Sequence, residues 1–320
     1  MTPIKTNKKF IFVLLLVCVA SIYLINTKAE DNPYNSASIT VYSGDSIQKA
    51  INNAKSDDSI IVYPGLYKEN LILDKSLVII SKEGKSTNTV IEAKDPEKDV
   101  FHVTTDKVTI KGFNITGAQS NCGIYYRGSY GNIANNTLIY NKYGILLKKS
   151  LLIDSMNATI ENNVVSDNEN GIYLQDTHGN CLENNSISNT EIKININGIY
   201  LEDSEDNKLI NNNVSNSWRG IYLTGSSHNE LNKNIVSSNY FSIDLLNSNN
   251  NRFLNNLINL NAYTFSVTLE NSHCNILKGN KAGSDADIKV FYTSNSKNNV
   301  LEGEQYSVNE QHTGGVFRVK

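Results

Sequence analysis

Gly171-Ile172-Tyr173-Leu174 returns as Gly198-Ile199-Tyr200-Leu201 and again as Gly220-Ile221-Tyr222-Leu223. Looser copies flank these: Gly123-Ile124-Tyr125-Tyr126, Gly144-Ile145-Leu146-Leu147 and Ser242-Ile243-Asp244-Leu245. Behind each comes a second block, most often closed by paired asparagines, as in Leu182-Glu183-Asn184-Asn185, Leu209-Ile210-Asn211-Asn212 and Phe253-Leu254-Asn255-Asn256. The step is roughly 22 residues, with two steps of about 27, inside the range of solenoid repeats. Apolar and polar residues alternate within each block, which is the period of a strand and not of a helix. Ile172 and Leu174 therefore point inward and Tyr173 points outward.

Such a unit cannot bury its apolar face alone, but stacked on a neighbour it can. The pattern predicts an all-β chain, a parallel β-helix in which each coil adds one strand to each of several sheets. About ten or eleven coils are expected, at ~4.8 Å per coil. Asn136, Asn163, Asn185, Asn212, Asn234, Asn256 and Asn280 form one column along the axis. Asparagine tolerates the left-handed backbone of a sharp corner, so this column is expected at the corners, with side chains hydrogen-bonded up the stack. The motif glycines are expected between strands, at turns. Ile47, Ala50, Ile51 and Ala54 share one face of a helix that would cover the first coil, with Ser43 or Asp45 as its N-cap.

The N-terminal residues differ in kind. Lys5, Lys8 and Lys9 precede an apolar run over 10–25. At about 16 residues it falls short of the ~20 a membrane span needs. With Thr27-Lys28-Ala29 behind it, the segment reads as a secretory signal over 1–29, an uncleaved anchor being the alternative. The domain plan is then signal or anchor 1–29, linker 30–42, capped β-helix 43–305 and tail 306–320. The body is expected outside the cytoplasm, secreted, periplasmic or at the cell surface, touching membrane only through its N-terminal segment. A net charge of −3 gives no basic footprint for nucleic acid. About 50 asparagines set the composition apart. Cys122, Cys181 and Cys274 have no metal-like spacing and are expected unpaired.

The Ile-rich capping helix, Ile61-Val62-Tyr63-Pro64-Gly65-Leu66-Tyr67 and the coils that follow resemble the right-handed β-helix of NosD-type proteins, within the larger pectin-lyase-like group. The resemblance covers about residues 38–305. It implies a right-handed coil and three kinds of function: a non-catalytic module binding glycans or building the envelope, a polysaccharide lyase or hydrolase, and a periplasmic copper accessory. Fold likeness alone does not choose among them.

The residues weigh these in turn. Copper wants soft or imidazole ligands. Met156 and the histidines His102, His178, His228, His273 and His312 show no ligand spacing, so no metal or cofactor is expected. Cleavage wants paired carboxylates. Asp176 and Asp203 share a column on adjacent coils with Glu202 one residue earlier, although turn preference for aspartate accounts for them more simply. Binding wants an aromatic platform. Tyr125, Tyr173, Tyr200 and Tyr222 share an outward column, with Trp218 and Arg219 just before Gly220. Polysaccharide or cell-envelope glycan is the expected partner and non-catalytic binding the leading expectation. Two insertions, within Leu147–Ala158 and Ser186–Asn197, break the period, and the second would flank the Tyr200 coil. Asn-x-Ser/Thr tripeptides start at Asn114, Asn135, Asn157, Asn184 and Asn213. Those along the asparagine ladder are expected to be buried, leaving Asn157 as the best glycan acceptor.

Overall fold

The computed structural model describes residues 36–149, 156–190, 196–258, 266–282, 288–292, 295–303, 306–310 and 318–319. The chain divides into two units, Met1–Ser36 and Ala37–Lys320. The expected signal or anchor and the extra residues 150–155 and 191–195 of the two insertions lie outside the described residues.

Among the described residues the second unit is a stack of coils forming three parallel sheets of 13, 11 and 9 strands. One coil runs through Asn170–Gln175, Cys181–Glu183 and Ser186–Ser188, one strand to each sheet. Below, these are called the tyrosine sheet, the leucine sheet and the third sheet. The 11 strands of the tyrosine sheet agree with the expected number of coils. Register is strict: Ile172 pairs Ile199, which pairs Ile221, while Leu182 pairs Leu209, which pairs Leu231. A slip of one residue would turn every inward side chain to water, so the alternating pattern itself holds the register. Ile172, Leu174, Leu182, Ile199, Leu201 and Leu209 are fully buried and stack into columns inside the coil.

The cap is a short helix, Ile47–Asn53, that buries Ile47, Ala50 and Ile51. Its N-cap is neither Ser43 nor Asp45 but Ser46, whose Oγ accepts the Lys49 N–H at 3.1 Å. Asp45 instead closes the preceding turn on the Tyr42 N–H, at 2.9 Å. Two boundaries also shift. Ser38–Val41, expected in the linker, is a strand paired with Ser59–Val62. Tyr306–Glu310 and Arg318–Val319, expected in the tail, pair with Ile288–Tyr292 and Val300–Glu302.

The corners correct the role expected of the asparagines. In each Asn-Asn pair the first residue takes the left-handed backbone: Asn135, Asn162, Asn184, Asn211 and Asn255 all have φ between 53° and 55°. The second keeps ordinary dihedrals and is buried, as Asn136, Asn163, Asn185, Asn212 and Asn256 are. Its Nδ2 donates to the Oδ1 of the next coil, for example Asn185 to Asn212 at 3.0 Å and Asn212 to Asn234 at 3.0 Å. One pair thus divides two tasks, conformation and hydrogen bonding. A second ladder, absent from the sequence expectations, runs through Asn180, Asn207, Asn229, Asn251, Asn275 and Asn299 at the corner between tyrosine and leucine sheets. The motif glycine is corrected too. Gly198 lies inside the strand Asn197–Glu202, and a Cβ there would collide with Val214 Cγ1 and the Gly220 carbonyl oxygen. Glycine is needed for close packing of the tyrosine sheet on the third sheet, not for a turn.

Candidate functional site on the tyrosine sheet

The outer face of the tyrosine sheet carries one column in register: Ile72, His102, Tyr125, Leu146, Tyr173, Tyr200, Tyr222, Asp244 and Thr268. Parallel coils set identical residues ~4.8 Å apart, close to the stacking distance of aromatic rings. The tyrosines accordingly stack along the axis. Tyr173 and Tyr200 lie 4.5 Å apart at 6°, and Tyr200 and Tyr222 lie 5.0 Å apart at 16°. Tyr143, from the adjoining outward column, extends the stack at 5.8 Å from Tyr173. Arg219 closes its far end, with Cζ 4.4 Å from the Tyr222 centroid, and Asp244 holds that guanidinium at 2.6 Å.

This arrangement covers the ring faces with one another. Tyr173 is 8% exposed, and Tyr125, Tyr200 and Tyr222 are half-buried. The face presents ring edges and hydroxyls rather than a flat aromatic platform. Burial raises the hydroxyl pKa of all four rings, so they stay neutral donors. The Tyr173 hydroxyl donates to Glu202, which raises its pKa further; Gln175 Nε2 also reaches that carboxylate at 3.2 Å. Trp218 lies beside the column and stacks on Tyr240 at 4.0 Å, with Phe241 edge-on to both.

Asp176 and Asp203 are exposed and adopt φ of 54° and 47°. Gly225, Asn247 and Asn271 follow at the same corner with φ of 58°, 51° and 46°. An αL corner alone therefore accounts for aspartate at these positions. Partial burial, then the neighbouring charges of Asp176 and Glu202, raise the Asp203 carboxyl above its ordinary value. The three carboxylates are thus close enough to feel one another.

An open groove of about 760 Å³ lies at the first coils of the same face, lined among others by Lys94, Asp95, Lys98, Asp99, His102 and Asn121. Asp99, 9% exposed, accepts the Cys122 N–H at 2.9 Å and meets His102 Nδ1 at 2.8 Å. A buried carboxylate on Nδ1 fixes the imidazole and leaves Nε2 for the groove. The imidazole stacks on Tyr125 at 4.8 Å and 11°. Asn70 pins the bordering loop from below through the Asp95 N–H and the Asp99 carbonyl, at 2.8 and 2.9 Å. The sequence raises His102 only among the histidines set aside for copper, and does not point to Asp99. The available signal was the apolar-polar-apolar block Phe101-His102-Val103, which puts His102 on the tyrosine column. The first coils lack the glycine motif that would have set the frame. Among the described residues no cluster of His, Cys, Asp and Glu is arranged to hold a metal ion.

Residues 99–258 and 197–317 match the family described as right handed beta helix region, and the chain belongs to that family. It is similar to a cell surface glycoprotein of Methanothermus fervidus, 34% identical over 134 residues. The match spans 41% of this chain and only 21% of that relative's length. The A-module of mannuronan C-5 epimerase AlgE4 of Azotobacter vinelandii shares the fold, with a TM-score of 0.61 at 15% identity, covering 86% of this chain and 94% of that one. DFA-IIIase from Arthrobacter chlorophenolicus gives 0.59 at 13%, covering 84% and 79%. Identities this low speak for the fold alone.

Proposed function

We propose that the chain is an exported cell-surface β-helix whose tyrosine sheet binds polysaccharide without cleaving it. One observation carries this reading. A single outward column in register runs from His102 to Asp244, built of ring edges, hydroxyls and charged groups with Leu146 as its one aliphatic member, on a sheet that opens into a groove at its first coils. A sugar chain lying along the axis would meet a repeated row of donors. The cell-surface relative and the polysaccharide epimerase among the structural neighbours lend the reading its context.

The test is a glycan array and a depolymerisation screen run on the full chain and on variants. With ring faces covered, hydroxyls and not faces make the contacts. Tyr200→Phe/Tyr222→Phe keeps the stack and removes two hydroxyls, so binding should weaken by roughly thirtyfold, at about 1 kcal/mol per hydrogen bond. Undiminished binding in that variant would remove the tyrosine sheet from the interface. Cleavage is a second reading, favoured specifically by the Asp99–His102 pair, which has the form of an oriented general base. Product release lost in His102→Ala would establish it. Product release lost in Asp176→Asn/Asp203→Asn would move the chemistry to the acidic corner.

A further inference from the structure

The Asn-x-Ser/Thr tripeptides are not scattered over the coils. The corner between the leucine and third sheets is the one corner that does not touch the tyrosine sheet. Asn135 and Asn184 sit at it, each the left-handed first member of an Asn-Asn pair. Asn114 and Asn213 open the strands Asn114–Thr116 and Asn213–Ser215 that leave it. Asn157, the acceptor expected from the sequence, is exposed as well but lies elsewhere, just ahead of the leucine-sheet strand Thr159–Glu161.

The sequence predicts that the tripeptide asparagines along the ladder are buried, but the buried residues are their neighbours Asn136, Asn185 and Asn212, and Asn135 is only half-buried. Asn184 and Asn213 are exposed. They lie on adjacent coils, since Asn213 is in register with Ser186, the hydroxyl residue of the Asn184 tripeptide. At Asn184 the left-handed corner and at Asn213 the outward strand position put the carboxamide in solvent, while Asn185 and Val214 between acceptor and hydroxyl are buried. A glycan at either position would leave the ladder and the core untouched.

We propose that Asn184 and Asn213 are N-glycosylation sites, so that this protein carries its own glycans on the corner away from the tyrosine sheet and keeps that sheet clear. In the transfer, the asparagine Nδ2 forms a bond to the anomeric carbon of a saccharide linked through phosphate to a polyprenol. The bond from that carbon to the phosphate oxygen breaks, and the amide proton leaves with the phosphate. Transfer takes place on the exporting chain, and the folded corner then holds the product in solvent. The proposal rests on the surface location in the reading above.

The experiment is peptide and intact mass spectrometry of the full chain recovered from the surface fraction of the cells that produce it. Saccharide mass is expected on the peptides bearing Asn184 and Asn213, and none on those bearing Tyr173, Tyr200 and Tyr222. Ser186→Ala, which keeps Asn184, should lose one glycan mass, as should Ser215→Ala and Asn184→Gln. Unmodified Asn184 and Asn213 in surface-located chain overturn the glycosylation and leave the surface reading standing. Chain found only in the cytosol overturns the surface reading itself. A mass that persists on Asn184 in Ser186→Ala overturns the site assignment.

Discussion

The first coils, up to about Thr116, and the later coils from Asn132 onward solve one problem in two ways. Every corner interrupts strand pairing and leaves backbone groups that must find partners. In the first coils each corner has its own device. Tyr67 donates its hydroxyl to the Tyr63 carbonyl at 2.7 Å. Asp58 accepts the N–H groups of Ala37 and Lys55 at 2.7 and 2.8 Å, and Gly112 takes φ of 83° at a corner where Phe113 fills the interior. From Asn136 on, the same amide recurs at the same corner, and each is partner to the next. The seam between the two solutions is visible, because the Phe113 N–H donates to Asn136 Oδ1 at 3.0 Å and so ends the ladder. A repeated polar network is stable only when every member is satisfied, and a strict repeat is what satisfies it.

The largest expected effect strikes the ladder. Asn212→Ala removes the bonds of its Nδ2 to the Leu182 carbonyl and to Asn234, at 2.9 and 3.0 Å. It also takes away the oxygen that accepts the Asn185 N–H and one Nδ2 proton, at 3.1 and 3.0 Å, leaving that Nδ2 only the Ile160 carbonyl at 2.8 Å. With several buried groups unpaired, a loss of about 4 kcal/mol is expected in urea denaturation. Asn211→Gly, one residue earlier, keeps the left-handed corner and should stay within about 0.5 kcal/mol. Equal effects of the two would break the division of tasks within the pair.

Gly198→Ala probes the later coils by packing instead of hydrogen bonding. The added methyl collides with Val214 and with the Gly220 carbonyl, and neither is the free end of a long side chain. Overpacking of this kind costs about 2 kcal/mol, read as a lower thermal midpoint. Tyr67→Phe should cost about 1 kcal/mol, since it removes one bond from one corner of the first coils and leaves its neighbours paired. If Tyr67→Phe matched Asn212→Ala, the first coils would be networked after all, and the contrast between the regions would fail.

How far the fold was legible follows the same divide. The later coils could be read because an outward Tyr173 and inward Ile172 and Leu174 repeat at fixed spacing, and register then follows. The roles inside the Asn-Asn pair could not, since the two residues are chemically identical and only φ separates Asn211 from Asn212. The ladder through Asn180 and Asn207 was hidden because those asparagines are single and sit among turn residues that vary from coil to coil. On the tyrosine sheet the column itself was legible, but its stacking was not. Whether outward rings open their faces to solvent or close them on each other depends on side-chain torsions that spacing does not fix. Asp99 and His102 lie in the first coils, where no repeat frame reaches them.

The smallest expected effect returns to the acidic corner. The Asp203 carboxyl titrates above its ordinary value, first through burial and then through the charges of Asp176 and Glu202. A carboxyl raised in the fold favours folding while protonated, and that advantage is lost as pH rises through its folded value. Ionised Asp203 is therefore a mild burden near neutral pH. Asp203→Asn removes the charge and keeps a residue suited to φ of 47°. Because the side chain is exposed, solvent screens the gain, and the variant should melt only slightly higher than wild type at about pH 7. Below the ordinary aspartate range both chains are neutral here, and the two melting curves should coincide. A difference that persists in acid would mean that the corner responds to asparagine through its backbone. Asp203 would then belong with Asn211 among the residues chosen for conformation, and its charge would be incidental to both stability and binding.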